Sequence, residues 1–176
     1  MTEFNGRTTI PDHLWSEPDQ LMQTDASLLG LGGVFHDSGC TKIFHCAIPA
    51  SWSGHHICVY ELLAIFIGLR VWGPILQDKR LLLQCDNSSS VILINTGRCR
   101  DKVMLGIARN IWLLCSYFNI QIKAIHIQGI DNRVADLLSR WTEMRSPYEK
   151  ITSLLDDCFI EEVQIASCMF DVDTSI

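Results

Sequence analysis

The stretch LLLQCDNSSSVILINTG, residues 81–97, decides how this chain folds. Residues 81–86 are apolar enough to lie at a sheet centre, and they end on Asp86. Asn87-Ser88-Ser89-Ser90 supplies short polar side chains suited to capping a helix, VILIN continues it, and Gly97 ends it. A buried strand running directly into a helix belongs to an α/β sheet, and the neighbouring elements can be read outward from it.

Downstream, residues 101–118 form an amphipathic helix with Val103, Ile107, Ile111, Leu114 and Phe118 on one stripe. IQIKAIHI (120–127) alternates as a half-buried strand with one slip at Ala124. A last helix covers 132–141, with Asn132 as its cap and Val134, Leu137, Leu138 and Trp141 inward. Upstream, residues 58–72 are too long and too apolar for a surface strand and read as a buried helix ending near Gly73-Pro74. Before it come three short strands, 20–27, 30–36 and 42–48, with a turn at His36–Gly39, the pattern of an antiparallel meander. The expected order is β-β-β-α-β-α-α-β-α. Residues 1–19 are polar with two prolines and read as a lead-in or linker, and Ser146-Pro147 looks like a boundary. The expected domain is therefore 20–145, followed by an acidic C-terminal extension or linker, 146–176, in which SLLDDCFIEEV (153–163) reads as a short helix.

The chain has 176 residues, 48% hydrophobic, enough for one domain with a real core. A formal charge of −6 first argues against a phosphate-bearing partner. Its placement reverses that argument. Residues 151–176 hold six Asp/Glu and no Lys or Arg, so the remaining chain is neutral, and residues 78–145 are net basic. The eight cysteines form no CxxC pair, and several sit in apolar runs, as reduced core thiols do. His45, Cys46, His55, His56 and Cys58 match no structural zinc spacing. No basic n-region leading into an apolar core is visible at the N-terminus, so an intracellular setting, cytoplasmic or nuclear, is expected. No membrane is expected either. The longest apolar stretch, 57–76, carries Glu61 and Arg70, each costing about 2.5–3.5 kcal/mol near a bilayer centre.

Four acids stand in costly or telling places. Glu61 is the only acid between Ile57 and Gln77, with apolar residues on every side of its helix, and a buried carboxylate is expensive unless paired or metal-bound. Asp86 closes the apolar strand at the end where functional groups collect in α/β sheets, although it could merely open the next helix's cap. Asp25 lies in the first strand, and Asp136 one turn into the last helix, where an acid is favourable in any case. If the four converge, their repulsion calls for a counter-charge. All-oxygen ligands select a hard divalent cation such as Mg²⁺ or Mn²⁺. Two such ions can activate a water and stabilise the leaving oxygen in phosphodiester hydrolysis.

TDAS (24–27), YELLAI (60–65), CDN (85–87) and HIQGIDNRVADLLSR (126–140) together resemble the ribonuclease H domain of retroelement reverse transcriptases. The resemblance is nearest to the DIRS-type, tyrosine-recombinase retrotransposons. Their last motif, H-x-x-G-x-x-N-x-x-A-D-x-L-S-R, is filled here by His126, Gly129, Asn132, Ala135, Asp136, Leu138, Ser139 and Arg140. It covers about residues 20–141. The resemblance implies a ribonuclease H-like α/β fold, a mixed five-stranded sheet of order 3-2-1-4-5 with helices on both faces. It implies two Mg²⁺ ions, replaceable by Mn²⁺, held by Asp25, Glu61, Asp86 and Asp136, with His126 on a mobile loop assisting product departure or proton transfer. The implied reaction cuts the RNA strand of an RNA–DNA hybrid during reverse transcription, leaving a 3′-hydroxyl and a 5′-phosphate, beside an upstream polymerase domain of the same polyprotein. Ser27, Asn87, Arg98, Arg100 and Lys102 are the implied nucleic-acid contacts.

Two departures stand out. Gln128 replaces a frequent proline, and the short segment 97–101 leaves no room for the basic helical protrusion of some cellular relatives, so Arg98, Arg100 and Lys102 are the basic residues left to substitute for it. A DNA-directed nuclease of the same fold and a catalytically silent scaffold or nucleic-acid-binding module are the rival readings.

Overall fold

The computed structural model describes residues 15–37, 39–144, 147–155 and 159–173. Most of the expected lead-in, residue 38 of the first turn, residues 145–146 at the expected boundary, and residues 156–158 and 174–176 of the acidic extension lie outside these.

Three strands come first: β1 (Gln20–Ala26), β2 (Gly30–Asp37) and β3 (Cys40–Ala47). They are antiparallel neighbours, as short strands joined by tight turns must be. Helix α1 (Ile57–Trp72) follows, then β4 (Arg80–Cys85), α2 (Ser88–Thr96), α3 (Lys102–Tyr117), β5 (Gln121–His126) and α4 (Arg133–Ser139). β1, β4 and β5 run parallel, their connections carrying the helices. The order of the first five strands is the expected 3-2-1-4-5.

Alternation along the strands divides the core into two layers. Met22, Leu31, Phe35, Phe44, Leu81 and Leu83 face α1 and α3, and Phe35 and Phe44 each pack against Trp72 with ring centroids 5.4 Å apart. Helix α1 is buried from Val59 to Leu69 and again at Trp72, which explains a sequence apolar all round. On the opposite face, Val34 and Ile43 meet Ala135 and Leu138 of α4.

The acidic extension is built into this sheet. After α5 (Pro147–Thr152), β6 (Phe159–Glu162) pairs in parallel with β3, giving a sheet of six strands, β5-β4-β1-β2-β3-β6. The helix expected over 153–163 is therefore corrected: α5 ends at Thr152 and 159–162 is a strand. Lys42 pairs with Glu161, and His45 Nε2 lies 3.2 Å from Glu162 Oε1, so partners on β3 decide what local propensity did not. Beyond β6 the chain returns to α1. Phe170 is buried there, Trp52 Nε1 donates to its carbonyl, and one Arg70 nitrogen donates to the carbonyls of Cys168, Met169 and Asp171. Among the described residues no helix is long and apolar enough to cross a membrane.

Candidate metal centre

The parallel strands carry their carboxyl ends to one edge of the sheet, and the acids gather there. Asp25 is the penultimate residue of β1, Asp86 follows β4, and Glu61 comes from the second turn of α1. Oxygens of these three side chains lie within 4.8 Å of one another. Among the described residues this is the one group of His, Cys, Asp and Glu so arranged. It opens into a cleft of about 770 Å³ that Asp136 and Arg140 also line.

Burial and mutual repulsion set the electrostatics of the group. Burial pushes Glu61 up to about 9, helped by the charges of Asp25 and Asp86 and opposed by the Ala26 amide. Burial pushes Asp25 up to about 7, opposed by the Ser139 hydroxyl and reinforced by Asp86 and Asp136. Among the described residues, Glu61 Oε2 is buried with no hydrogen-bond partner. A buried carboxylate oxygen without a donor costs free energy that a cation would recover. The donor set is entirely oxygen, which suits a hard divalent ion.

Asp136 stands apart from the three. It lies on α4, facing the same cleft, and its Oδ1 accepts from Arg140 Nε at 2.7 Å, one helical turn on. His126 is also placed differently from expectation. It is the last residue of β5, paired with Cys85, rather than part of a mobile loop. Its exposed ring sets Nε2 3.1 Å from the Asp86 carbonyl. A carbonyl only accepts, so that nitrogen carries a proton and donates.

The remaining sequence candidates divide into two kinds. Arg98, Arg100 and Lys102 are exposed around the short α2–α3 connection, which Gly97 turns with φ 69° and Asp101 closes by capping Met104 N. Asn87 caps α2 through Ser90 N, and its Nδ2 reaches Cys58 Sγ at 3.5 Å. Ser27 is buried, its hydroxyl accepting from Leu29 N and Gly30 N and donating to Ser139 O, so any contact it makes with a nucleic acid runs through its backbone.

α4 is held to the sheet more closely than side chains allow. A Cβ on Gly32 would lie 2.5 Å from Ser139 N and 2.6 Å from Ala135 O, and one on Gly30 would lie 2.5 Å from Ser139 O. Asn132 does not cap α4 with its side chain, as the sequence suggests. It is fully buried and donates to Thr24 O at 3.0 Å, tying the start of α4 to β1. Ser139 and Arg140, the last two residues of the 126–140 motif, touch Asp25 and Asp136 directly, a role the sequence reading did not assign them. A polar residue among the inward-facing Ala135 and Leu138 was the available signal for Ser139.

No family model matches the chain, and no curated protein matches it. Solved structures do. Ribonuclease H1 of the halophilic archaeon Halobacterium salinarum is 15% identical with a TM-score of 0.56, over 68% of this chain and 92% of that one. LC11-RNase H1, isolated from compost by a metagenomic approach and solved with an RNA/DNA hybrid, is 19% identical with a TM-score of 0.58, over 68% and 93%. The foamy viral protease-reverse transcriptase, also solved with an RNA/DNA hybrid, is 15% identical with a TM-score of 0.56, over 82% of this chain and 23% of that one. Cellular and retroviral proteins of this kind share one architecture with the present chain, which therefore has the ribonuclease H fold.

Proposed function

We propose that this protein is a metal-dependent endonuclease that cuts the RNA strand of RNA–DNA hybrids during reverse transcription. The observation that carries the reading is the buried group of Asp25, Glu61 and Asp86, with oxygens within 4.8 Å and Glu61 Oε2 unpartnered. Their place at the carboxyl ends of β1 and β4 and on α1 supports it, as does the 126–140 motif, which resembles that of DIRS-type retrotransposons. In this reading Asp25, Glu61 and Asp86, joined by Asp136, hold two Mg²⁺ or Mn²⁺ ions. When bound, the ions lower the pKa of water and offset charge on the phosphate being cut.

The chain's own residues do the rest. The rigid edge of the sheet fixes where the scissile phosphate sits. Arg140, at the rim of the cleft, offers a cation to the phosphate backbone. His126, its Nε2 on the Asp86 carbonyl, stands beside Asp86 to take or give a proton as product leaves. Asn87 and the exposed Arg98, Arg100 and Lys102 lie along α2 and its connection, suited to phosphates flanking the cut. Selectivity for the RNA strand then rests on its 2′-hydroxyls and on hybrid shape. Products carry a 3′-hydroxyl and a 5′-phosphate.

The reading includes a polymerase domain upstream in the same polyprotein, residues 20–145 as the nuclease unit, and work inside the cell, in cytoplasm or nucleus. The test is an end-labelled RNA–DNA hybrid, compared with duplex DNA and duplex RNA of the same sequence, in Mg²⁺ and in Mn²⁺. Cleavage confined to the hybrid's RNA strand is expected. Preference for duplex DNA, or no cleavage with either metal, overturns the assignment.

A further inference from the structure

Ser139 sits where α4 meets the acid group. It is 1% exposed, and its main chain is fixed on both sides. Ser27 Oγ donates to its carbonyl at 2.9 Å, while Gly30 and Gly32 let β2 approach its oxygen and nitrogen. Its own Oγ lies 2.5 Å from Asp25 Oδ2 and 2.9 Å from the Asp136 carbonyl. A hydroxyl has one proton, so it donates to one of the two. The Asp136 carbonyl already accepts from Arg140 N at 3.2 Å. Asp25 Oδ2 has no such alternative: among the described residues no other side chain donates to the carboxylate of Asp25, Glu61 or Asp86.

We propose that Ser139 is a positioning residue of the metal centre, donating to Asp25 and holding its carboxylate in the orientation that shares a cation with Glu61 and Asp86. This rests on the metal centre of the proposed function and adds a supporting contact to it. A carboxylate turns easily about its last torsion, and three repelling carboxylates favour swinging apart. A donor fixed to both α4 and β2 opposes that turn. It also makes the seating of α4, which carries Asp136, a condition for the orientation of Asp25. Partners of this kind typically change metal affinity 10–100-fold when removed.

Ser139→Ala removes the donor and leaves the volume nearly unchanged. The experiment is calorimetric titration of the full chain with Mn²⁺, wild type against Ser139→Ala, with circular dichroism to check folding. Mn²⁺ affinity about tenfold weaker or more is expected. Hybrid cleavage should fall at limiting Mn²⁺ and return to the wild-type kcat at saturating Mn²⁺. Affinity within twofold of wild type overturns the proposal, because a small residue merely filling space against β2 is equally well served by alanine. A kcat deficit that Mn²⁺ does not restore overturns it too. Should Ser139→Ala not fold, Ser139→Cys, a weak donor, is held to the same criterion. Wild type that binds Mn²⁺ but leaves the hybrid intact refutes the nuclease reading, while the calorimetric comparison still decides Ser139. Wild type that binds no Mn²⁺ overturns both.

Discussion

Glu61 makes the metal-free protein sensitive to alkali, and the size of the effect follows from where it sits. In the unfolded chain Glu61 ionises near 4.5, whereas in the fold burial and the charges of Asp25 and Asp86 push it up to about 9. Between those values the folded state keeps a proton that the unfolded state has lost. Stability therefore falls as pH rises, by about 1.4 kcal/mol per pH unit. From pH 5 to 8 that is about 4 kcal/mol, a large share of a typical domain's stability. Asp25, pushed from 3.8 to about 7, acts in the same direction below pH 7, and because the two sites interact their losses do not simply add. Glu61→Gln keeps the shape and removes the titration, so its curve should run level above pH 7 while wild type keeps falling. Divalent metal should reverse the loss, contributing about 2.7 kcal/mol at 100 times its Kd, and more of it at pH 8 than at pH 6 because the ligands must be deprotonated. Urea unfolding at pH 5, 6, 7 and 8, in EDTA and in Mn²⁺, measures all of this. A level metal-free profile for wild type, or a Glu61→Gln profile that superimposes on it, refutes the reasoning.

Three further outcomes test other parts of the structure. Gly32→Ala forces a Cβ against the backbone of Ala135 and Ser139 and should cost about 3 kcal/mol in urea unfolding, with hybrid cleavage lost as α4 is displaced. Phe170→Ala empties the buried seat of the returning C-terminal segment on α1, at a cost of about 3 kcal/mol, and a loss below 0.5 kcal/mol would show that the segment is not packed there. Arg140→Ala breaks an exposed pair with Asp136 and should change stability by less than about 0.5 kcal/mol, while raising the KM for hybrid severalfold in steady-state cleavage.

What the sequence made legible was what stood out locally. Glu61 is conspicuous because every neighbour on its helix is apolar, and Asp86 because it ends a strand that is otherwise core; both lie in the acid group. The first five strands were legible because their alternation and turns are local, and the helix–strand alternation after α1 limits how they can be ordered. β6 was not legible. Phe-Ile-Glu-Glu has no alternating apolar face, and its strand character comes from pairing with Cys40–Ile43 of β3, more than a hundred residues away in the chain. The same applies to Asn132, whose side chain suits a cap but is drawn instead to Thr24 across the α4–β1 interface. The resemblance implies Asp136 as a fourth ligand, and the structure adds what the motif does not say: its carboxylate lines the same cleft while accepting from Arg140 four residues on. The acidity of the C-terminal segment is likewise clearer in place: Glu161 and Glu162 face basic or imidazole groups of β3 at the sheet's edge.

The most direct test of the account is cleavage of a labelled RNA–DNA hybrid by wild type and Asp86→Asn, side by side, across a Mn²⁺ titration. Cleavage of the RNA strand by wild type that rises with metal, and its loss by at least a hundredfold in a folded Asp86→Asn protein, is the predicted result. Equal cleavage by the two proteins, or cleavage by wild type that persists in EDTA, would contradict the metal centre on which the account stands.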